Sequence, residues 1–449
     1  MNIVKRLAIC GAALIVALLT PTVALAGQAK DCHVGTYRFA DGSFVDIAPR
    51  DDGTLRWRLF DGKTGVLHPG SDGAWNSTLG WTKKPDGISA TFADDCDTGD
   101  IRFNGQTGRR IRFDVTDTTF ISHGVKLAGR LVMPAGTDKV PVVVLVHGAE
   151  QDSALTGYSL QRMLPGVGVG AFVFDKRGTG VSGGQYTQDF SLLADDDGAA
   201  VKEARRLAGD RLGRIGFQAG SEGGWTAPLA ASRTPVDFVI VCFGLAVDVM
   251  DEDQESIELQ MREKGYPQEV IAKALKVGRA AEDLFASDFK EGFPEFDAVR
   301  TKYGKEPWFK DVRGDFSWLI LSHSDDELRA MAKDFDWHTP VYYDGMETLR
   351  AGKTPQLWVV GGEDYDAPAA ETSIRVKSLI ADRLPFTLAY YPHAEHGMTL
   401  FETEADGTRD STNYEPGYFA MIRDFALYGR LPGSYGDAVV TYPFDRSGR

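Results

Sequence analysis

The apolar run Arg214-Ile-Gly-Phe217 leads into Gln218-Ala219-Gly220-Ser221-Glu222-Gly223-Gly224-Trp225. A buried strand, a small-x-Ser-x-Gly sequence and a helix-compatible stretch together describe a sharp strand-to-helix turn with a serine at its apex. Such a turn needs small residues two before and two after the serine, and Ala219 and Gly223 supply them. Ser221 is therefore a candidate nucleophile. The helix that begins beside it would favour developing negative charge.

The motif alone is weak, because Gly180-Val-Ser182-Gly-Gly184 also matches it. There the preceding strand ends near Asp175, too early, and Gln185-Tyr-Thr-Gln-Asp189 does not start as a helix. Ser182 reads as a loop serine. Gly166-Val-Gly168-Val-Gly170 precedes its strand, whereas a dinucleotide-binding fingerprint follows one.

A serine hydroxyl needs a base, and the base needs an orienting carboxylate. The chain order for a nucleophile on such a turn is serine, acid, histidine. His323, His338, His393 and His396 follow Ser221, and the first two precede the next core strand. Tyr391-Pro-His393-Ala-Glu-His396-Gly397 follows the last core strand. His396, with Gly397 behind it, has room to turn inward and is the favoured base, with His393 in reserve. The acid should follow the preceding strand, in Gly361-Gly-Glu363-Asp364-Tyr-Asp366-Ala-Pro368. Asp364, four before Pro368, is favoured over Asp366 and Glu363. Acyl transfer also needs two N–H donors for the oxyanion. The backbone of Glu222 offers one, and Ala149 or Gly148 in the His147-Gly148-Ala149-Glu150 loop offers the other. His147 precedes the serine and is read as structural. Asp195-Asp196-Asp197 reads as carboxylates at a helix N-terminus.

These residues need a scaffold. Val142–Val146, Ala171–Phe174, Arg214–Phe217, Phe238–Cys242, Leu357–Val360 and Phe386–Tyr390 are short apolar runs, as expected of strands buried on both faces. Helix-patterned stretches such as Leu192–Ala208 and Thr372–Ala381 lie between them, so the chain from about 116 predicts an α/β parallel sheet. From about 245 to 350 the pattern becomes a helical insertion. Val270, Ala274, Val277, Ala281 and Leu284 form its clearest apolar stripe, with Pro267 near the helix start. Residues 27–115 read as a small all-β domain. Turn dipeptides recur at Asp41-Gly42, Asp52-Gly53, Asp61-Gly62, Asp72-Gly73, Asp86-Gly87 and Asn104-Gly105. Leu55, Trp57 and Leu59 alternate with Arg56 and Arg58, and Ile111, Phe113 and Val115 repeat the period.

At 449 residues the chain can bury a large core, and its net charge of −15 with no long basic run argues against a nucleic-acid partner. Lys5 and Arg6, the apolar Leu7–Leu19 and Ala24-Leu25-Ala26 read as a signal peptide over 1–26, which predicts export to the periplasm or medium. The apolar run is short for a membrane span, and no other segment is suited to one. In an oxidising compartment Cys32 and Cys96 are the expected disulfide, while Cys242 reads as a buried strand residue.

Taken together, His147-Gly148, Asp175-Lys-Arg177-Gly178-Thr-Gly180-Val-Ser182, the Ser221 turn, Asp364–Pro368 and His396-Gly397 resemble the α/β-hydrolase family of serine hydrolases over about 140–400. The resemblance extends to exported bacterial esterases and prolyl-oligopeptidase-like hydrolases. It implies an eight-stranded sheet, a triad of Ser221, Asp364 and His396, and a helical cap. It also implies a small ester or peptide as substrate, with no metal or organic cofactor. Cleavage of carboxylic esters is the leading expectation. A peptidase or amidase on the same triad comes second, and a non-catalytic binding protein third. In the cap, Trp308, Phe309, Trp318, Leu319 and Ile320 either line an acyl pocket or form the cap's own core.

Overall fold

The computed structural model describes residues 31–443 except 51, 72, 94–98 and 334–336. The expected signal peptide and Cys96, and with it the expected Cys32–Cys96 bridge, lie outside the described residues.

The N-terminal strands are β1 (Gly35–Arg38), β2 (Phe44–Pro49), β3 (Leu55–Leu59), β4 (Thr64–Pro69), β5 (Trp75–Leu79), β6 (Pro85–Phe92), β7 (Asp100–Phe103) and β8 (Gln106–Arg110). They form a closed antiparallel barrel in which β8 returns to β1, Tyr37 opposite Arg110. Closure leaves no free edge. The alternation works as expected, with Leu55 and Trp57 packing inside on Tyr37, Ile47 and Phe103 while Arg56 and Arg58 point outward.

A second sheet follows, with β9 (Phe113–Ser122), β10 (Val125–Pro134), β11 (Val140–Val146), β12 (Gly170–Phe174), β13 (Leu212–Gly220), β14 (Phe238–Cys242), β15 (Gln356–Gly361) and β16 (Phe386–Tyr391). After them come the hairpin β17 (Thr399–Thr403) and β18 (Arg409–Tyr414), and finally β19 (Val439–Thr441). The sheet order is β19-β16-β15-β14-β13-β11-β12-β10-β9. Strands β11 to β16 run parallel, with β10 antiparallel to β12. This is the α/β-hydrolase fold. It differs from the expected eight strands by β19, which pairs antiparallel with β16. Three residues are too few to show a period in the sequence. Phe113 and Val115 lie in the large sheet rather than the barrel, because a period of two identifies a strand but not its sheet.

The helices are α1 (Ala154–Gly157), α2 (Leu160–Met163), α3 (Phe190–Ala208) and α4 (Gly223–Arg233), then in the insertion α5 (Val249–Glu263), α6 (Gln268–Ala286), α7 (Phe293–Tyr303), α8 (Ser317–Leu321), α9 (Asp325–Met331) and α10 (Met346–Ala351), and last α11 (Ala369–Ala381) and α12 (Tyr418–Tyr428). Strand residues alternate between two cores. Val142, Val144, Phe217 and Val241 pack with α3, α4 and α11, while Val143, Leu145, Ile240 and Cys242 pack with α2 and α12. The stripe on α6 buries Ala274, Val277, Ala281 and Leu284 within the insertion. Among the described residues no helix is long and apolar enough to cross a membrane.

The barrel is fastened to the large sheet's helices and to the β17–β18 hairpin. Arg162 in α2 donates to the buried carboxylate of Asp46 at 2.6 and 3.2 Å. The hairpin accepts from Trp81 N–H at Ser411 O, 2.8 Å, and Tyr414 N–H donates to Gly62 O at 2.9 Å.

Candidate active site

Strand β13 ends at Gly220 and α4 begins at Gly223, leaving two residues to reverse the chain. Ser221 holds φ at +53°, a region that strains a side-chain-bearing residue. The turn closes because its neighbours lack bulk. A Cβ on Gly223 would lie 2.9 Å from His147 O and 3.0 Å from Ala219 Cβ, and one on Gly224 would lie 2.9 Å from Gly244 Cα. The loop after β11 passes over the same turn, since a Cβ on Gly148 would lie 3.3 Å from Ser221 Cβ.

Two peptide planes beside Ser221 are fixed from behind. Gly224 N–H donates to Ser221 O at 2.7 Å. Lys176 Nζ donates to Gly148 O at 2.7 Å and to Glu222 Oε1 at 2.9 Å. In a trans peptide the N–H points opposite to the C=O. Holding the carbonyls of Ser221 and Gly148 therefore orients the N–H groups of Glu222 and Ala149 away from those bonds. Lys176 and Glu222 are both buried. Burial raises the Glu222 carboxyl. On Lys176 burial acts downward, but Glu222, Tyr186 and Glu150 outweigh it and the ammonium is raised.

Asp364 follows β15 and His396 follows β16, so both stand at the carboxyl ends of the parallel strands, as Ser221 does. His396 Nδ1 lies 3.1 Å from each Asp364 oxygen. Asp364 is fully buried and accepts the N–H groups of Asp366 and Ala367 at 3.0 and 2.8 Å. Burial raises its carboxyl, with His396 opposing. For His396 burial acts downward, yet Asp364, then Asp366 and Asp315, carry the imidazole up to about 9. Phe243 touches both halves of the site. Its ring stands edge-on to His396 at 4.9 Å and packs on Gly220, where a Cβ would lie 2.6 Å away. The structure joins Asp364 to His396 at the ends of β15 and β16 and sets Ser221 at the end of β13, with β14 between, and with no hydrogen bond between Ser221 Oγ and His396 among the described residues.

The competing residues have other surroundings. His393 and Asp366 are exposed, and Glu363 pairs with Arg409 at 3.1 Å. Ser182 braces a loop, donating to Asp175 O at 2.6 Å and accepting from Ala128 N–H at 2.9 Å. His147 is buried with Nε2 2.9 Å from Phe174 O. The Asp195–Asp197 run is not at a helix N-terminus, because α3 starts at Phe190 behind its cap Asp189. Asp196 instead grips Arg177 with two bonds of 2.6 Å, and Asp195 meets Arg233 at 2.8 Å. Trp308 and Ile320 lie in the cap's own core, Trp308 among Ile257, Met261 and Ile271.

Three participants are not singled out by sequence. Lys176 sits within the Asp175–Ser182 motif, but its partners come from two other segments. Phe243 ends an apolar strand and looks like core. Asp315 is held through its neighbours, since Phe316 and Ser317 N–H groups both donate to the buried Asp253 at 3.0 Å. Burial, then Asp366 and Asp253, raise the Asp315 carboxyl to about 8.

No family model matches the chain, and no curated relative matches it. Solved structures do. The esterase Pf2001 of Pyrococcus furiosus is 16% identical at a TM-score of 0.40, over 64% of this chain and 85% of its own. The acylaminoacyl peptidase of Pyrococcus horikoshii is 15% identical at 0.43, over 87% of this chain and 57% of its own. The esterase Est22 is 14% identical at 0.41, over 64% and 74%.

Proposed function

We propose that the chain is a serine hydrolase that cleaves carboxylic esters through an acyl-enzyme. The observation that carries this is the Asp364–His396 pair at 3.1 Å, at the same carboxyl edge of the sheet as a serine held at φ +53°. Ser221 Oγ attacks the acyl carbon while His396 takes its proton. The tetrahedral oxyanion is met by the N–H groups of Glu222 and Ala149. His396 then gives the proton to the leaving alcohol, and water repeats the sequence to free the acid. Asp364 holds the imidazole in the tautomer that leaves Nε2 free and stabilises the imidazolium.

A peptidase acting on a substrate with a free amine is the second reading. It is favoured by Glu252 on α5, which is buried and whose carboxyl is raised well above the usual range by burial and by Asp315, Asp253 and Asp366. An ammonium group placed among these carboxylates would relieve that repulsion.

The test is a panel of nitrophenyl esters of rising acyl length beside aminoacyl and dipeptidyl nitroanilides. Ser221→Ala should lose on the order of 10³-fold or more in kcat/KM while melting as the parent does. A dead Ser182→Ala with an active Ser221→Ala would overturn the assignment. Nitroanilides cleaved faster than every ester would select the second reading.

A further inference from the structure

The outer wall of the barrel holds a cavity of about 290 Å³ whose lining includes Arg50, Arg56, His68, Trp81 and Lys83. All five belong to barrel strands or turns and none to the triad. Arg56 sits on β3, on the face that the alternation turns away from the barrel core. It is only 3% exposed. Its Nη1 donates to Gly80 O at 3.1 Å, and its guanidinium stacks 4.0 Å from the Trp81 ring centre. Among the described residues its Nη2 is buried with no hydrogen-bond partner.

A buried guanidinium with an unused donor is costly, because the protein supplies nothing in place of the water it gave up. Cations outnumber carboxylates on the lining around it. Arg50 and Lys83 stand on the same lining, and the one carboxylate there among the described residues, Asp52, already bonds Arg50 at 3.3 Å and the Thr54 N–H at 3.1 Å. Burial, then Arg58 and Arg50, push the Arg56 guanidinium down to about 9, an effect that an anion would reverse. In a chain of net charge −15 such a cationic pocket is not a by-product of composition.

We propose that this cavity is a binding site for a small organic oxyanion, a phosphate monoester or a carboxylate, separate from the triad. The Arg56 guanidinium bonds the anion, Arg50 and Lys83 flank it, and the organic part lies on the Trp81 ring. The volume exceeds that of an inorganic ion and approaches the range of small-molecule sites. Trp81, 39% exposed, offers the flat apolar surface such a ligand would cover.

The experiment is calorimetric titration of the Ser221→Ala protein with phenyl phosphate, inorganic phosphate and acetate. That variant excludes turnover at the triad. Phenyl phosphate should bind more tightly than either simple ion, and an acetate response without a phosphate response would assign the site to carboxylates. Lys83→Ala and Arg56→Met should each weaken phenyl phosphate by about tenfold, the worth of a charged hydrogen bond. Lys83 is exposed, so its variant keeps the result interpretable if Arg56→Met folds poorly. No heat from any of the three probes at millimolar concentration would overturn the proposal, as would equal binding by the parent and Lys83→Ala.

Discussion

Asp364 meets His396 Nδ1 with both carboxylate oxygens at 3.1 Å, while Asp366, two residues on, gives its backbone N–H back to Asp364. The two acids share a loop but differ in setting, Asp364 buried and Asp366 exposed. Asp364→Asn keeps the size of the side chain and removes the charge that fixes the imidazole tautomer. Its kcat should fall on the order of 10³- to 10⁴-fold. Asp366→Asn preserves the backbone N–H and should retain most of the rate. Kinetics of the two variants on one nitrophenyl ester decide this, and an inactive Asp366→Asn beside an active Asp364→Asn would move the acid by two residues.

His396 must be neutral to act as a base, and against burial Asp364, then Asp366 and Asp315, push its imidazole up to about 9. The ester kcat/KM should therefore rise with pH to a midpoint near 9. Asp315 is one of the carboxylates that raise His396, so Asp315→Asn should shift that midpoint downward. The sign for stability is opposite. A folded-state value above the ordinary 6.5 stabilises fully below 6.5, and this contribution is lost as pH climbs through about 9. Thermal melting of the parent relative to His396→Ala should show the gap closing over that interval. An unchanged rate midpoint in Asp315→Asn would remove Asp315 from the site.

How far the sequence carries depends on how local each feature is. The Ser221 turn was legible because Ala219, Gly223 and the flanking apolar strand are all within a few residues. The core strands were legible because both faces are buried and the runs are continuous. Asp364 and His396 followed from their order after successive strands. The bracing of the Gly148 loop was not legible, since Lys176, Gly148 and Glu222 come from three segments that only the sheet order brings together. The same holds for Asp196 on α3, whose partner Arg177 comes from the loop after β12 and turns a run of acids into a buried ion pair. Trp308 illustrates a further limit, because an apolar residue in a cap has the same composition signal whether it faces the substrate or the cap's interior.

That bracing can be tested. Lys176→Met leaves the buried Glu222 carboxylate without its cation and frees Gly148 O. Urea denaturation should show a loss of about 3–5 kcal/mol, the usual cost of breaking a buried pair from one side. Adding Glu222→Gln should recover part of it, because the uncompensated charge is gone. The double variant should still turn over slowly, since nothing holds the Gly148–Ala149 peptide. Additive losses in stability would mean that the two side chains do not act as a pair.

The barrel makes its tightest glycine approach to the β17–β18 hairpin at Gly80. Gly80 sits at φ +51°, and a Cβ there would lie 2.0 Å from Thr412 O and 2.5 Å from Thr412 Cα in β18. The β17–β18 hairpin is tied to both loops of the Asp364–His396 pair. Thr399 Oγ1 donates to His396 O at 3.4 Å, and Arg409 Nη1 donates to Glu363 O at 2.7 Å. Gly80→Ala must push the hairpin away from the barrel, and the displacement acts on the acid and the base together. The matched control is Gly42→Ala, at φ +87° with nothing within 4 Å of its Cβ. There the change costs backbone strain alone, about 1 kcal/mol, and kcat should stay at the parent value. Gly80→Ala should lose more stability than this and also lower kcat with little change in KM. Equal melting temperatures and parent-like kcat in both glycine variants would show that the barrel does not position the triad.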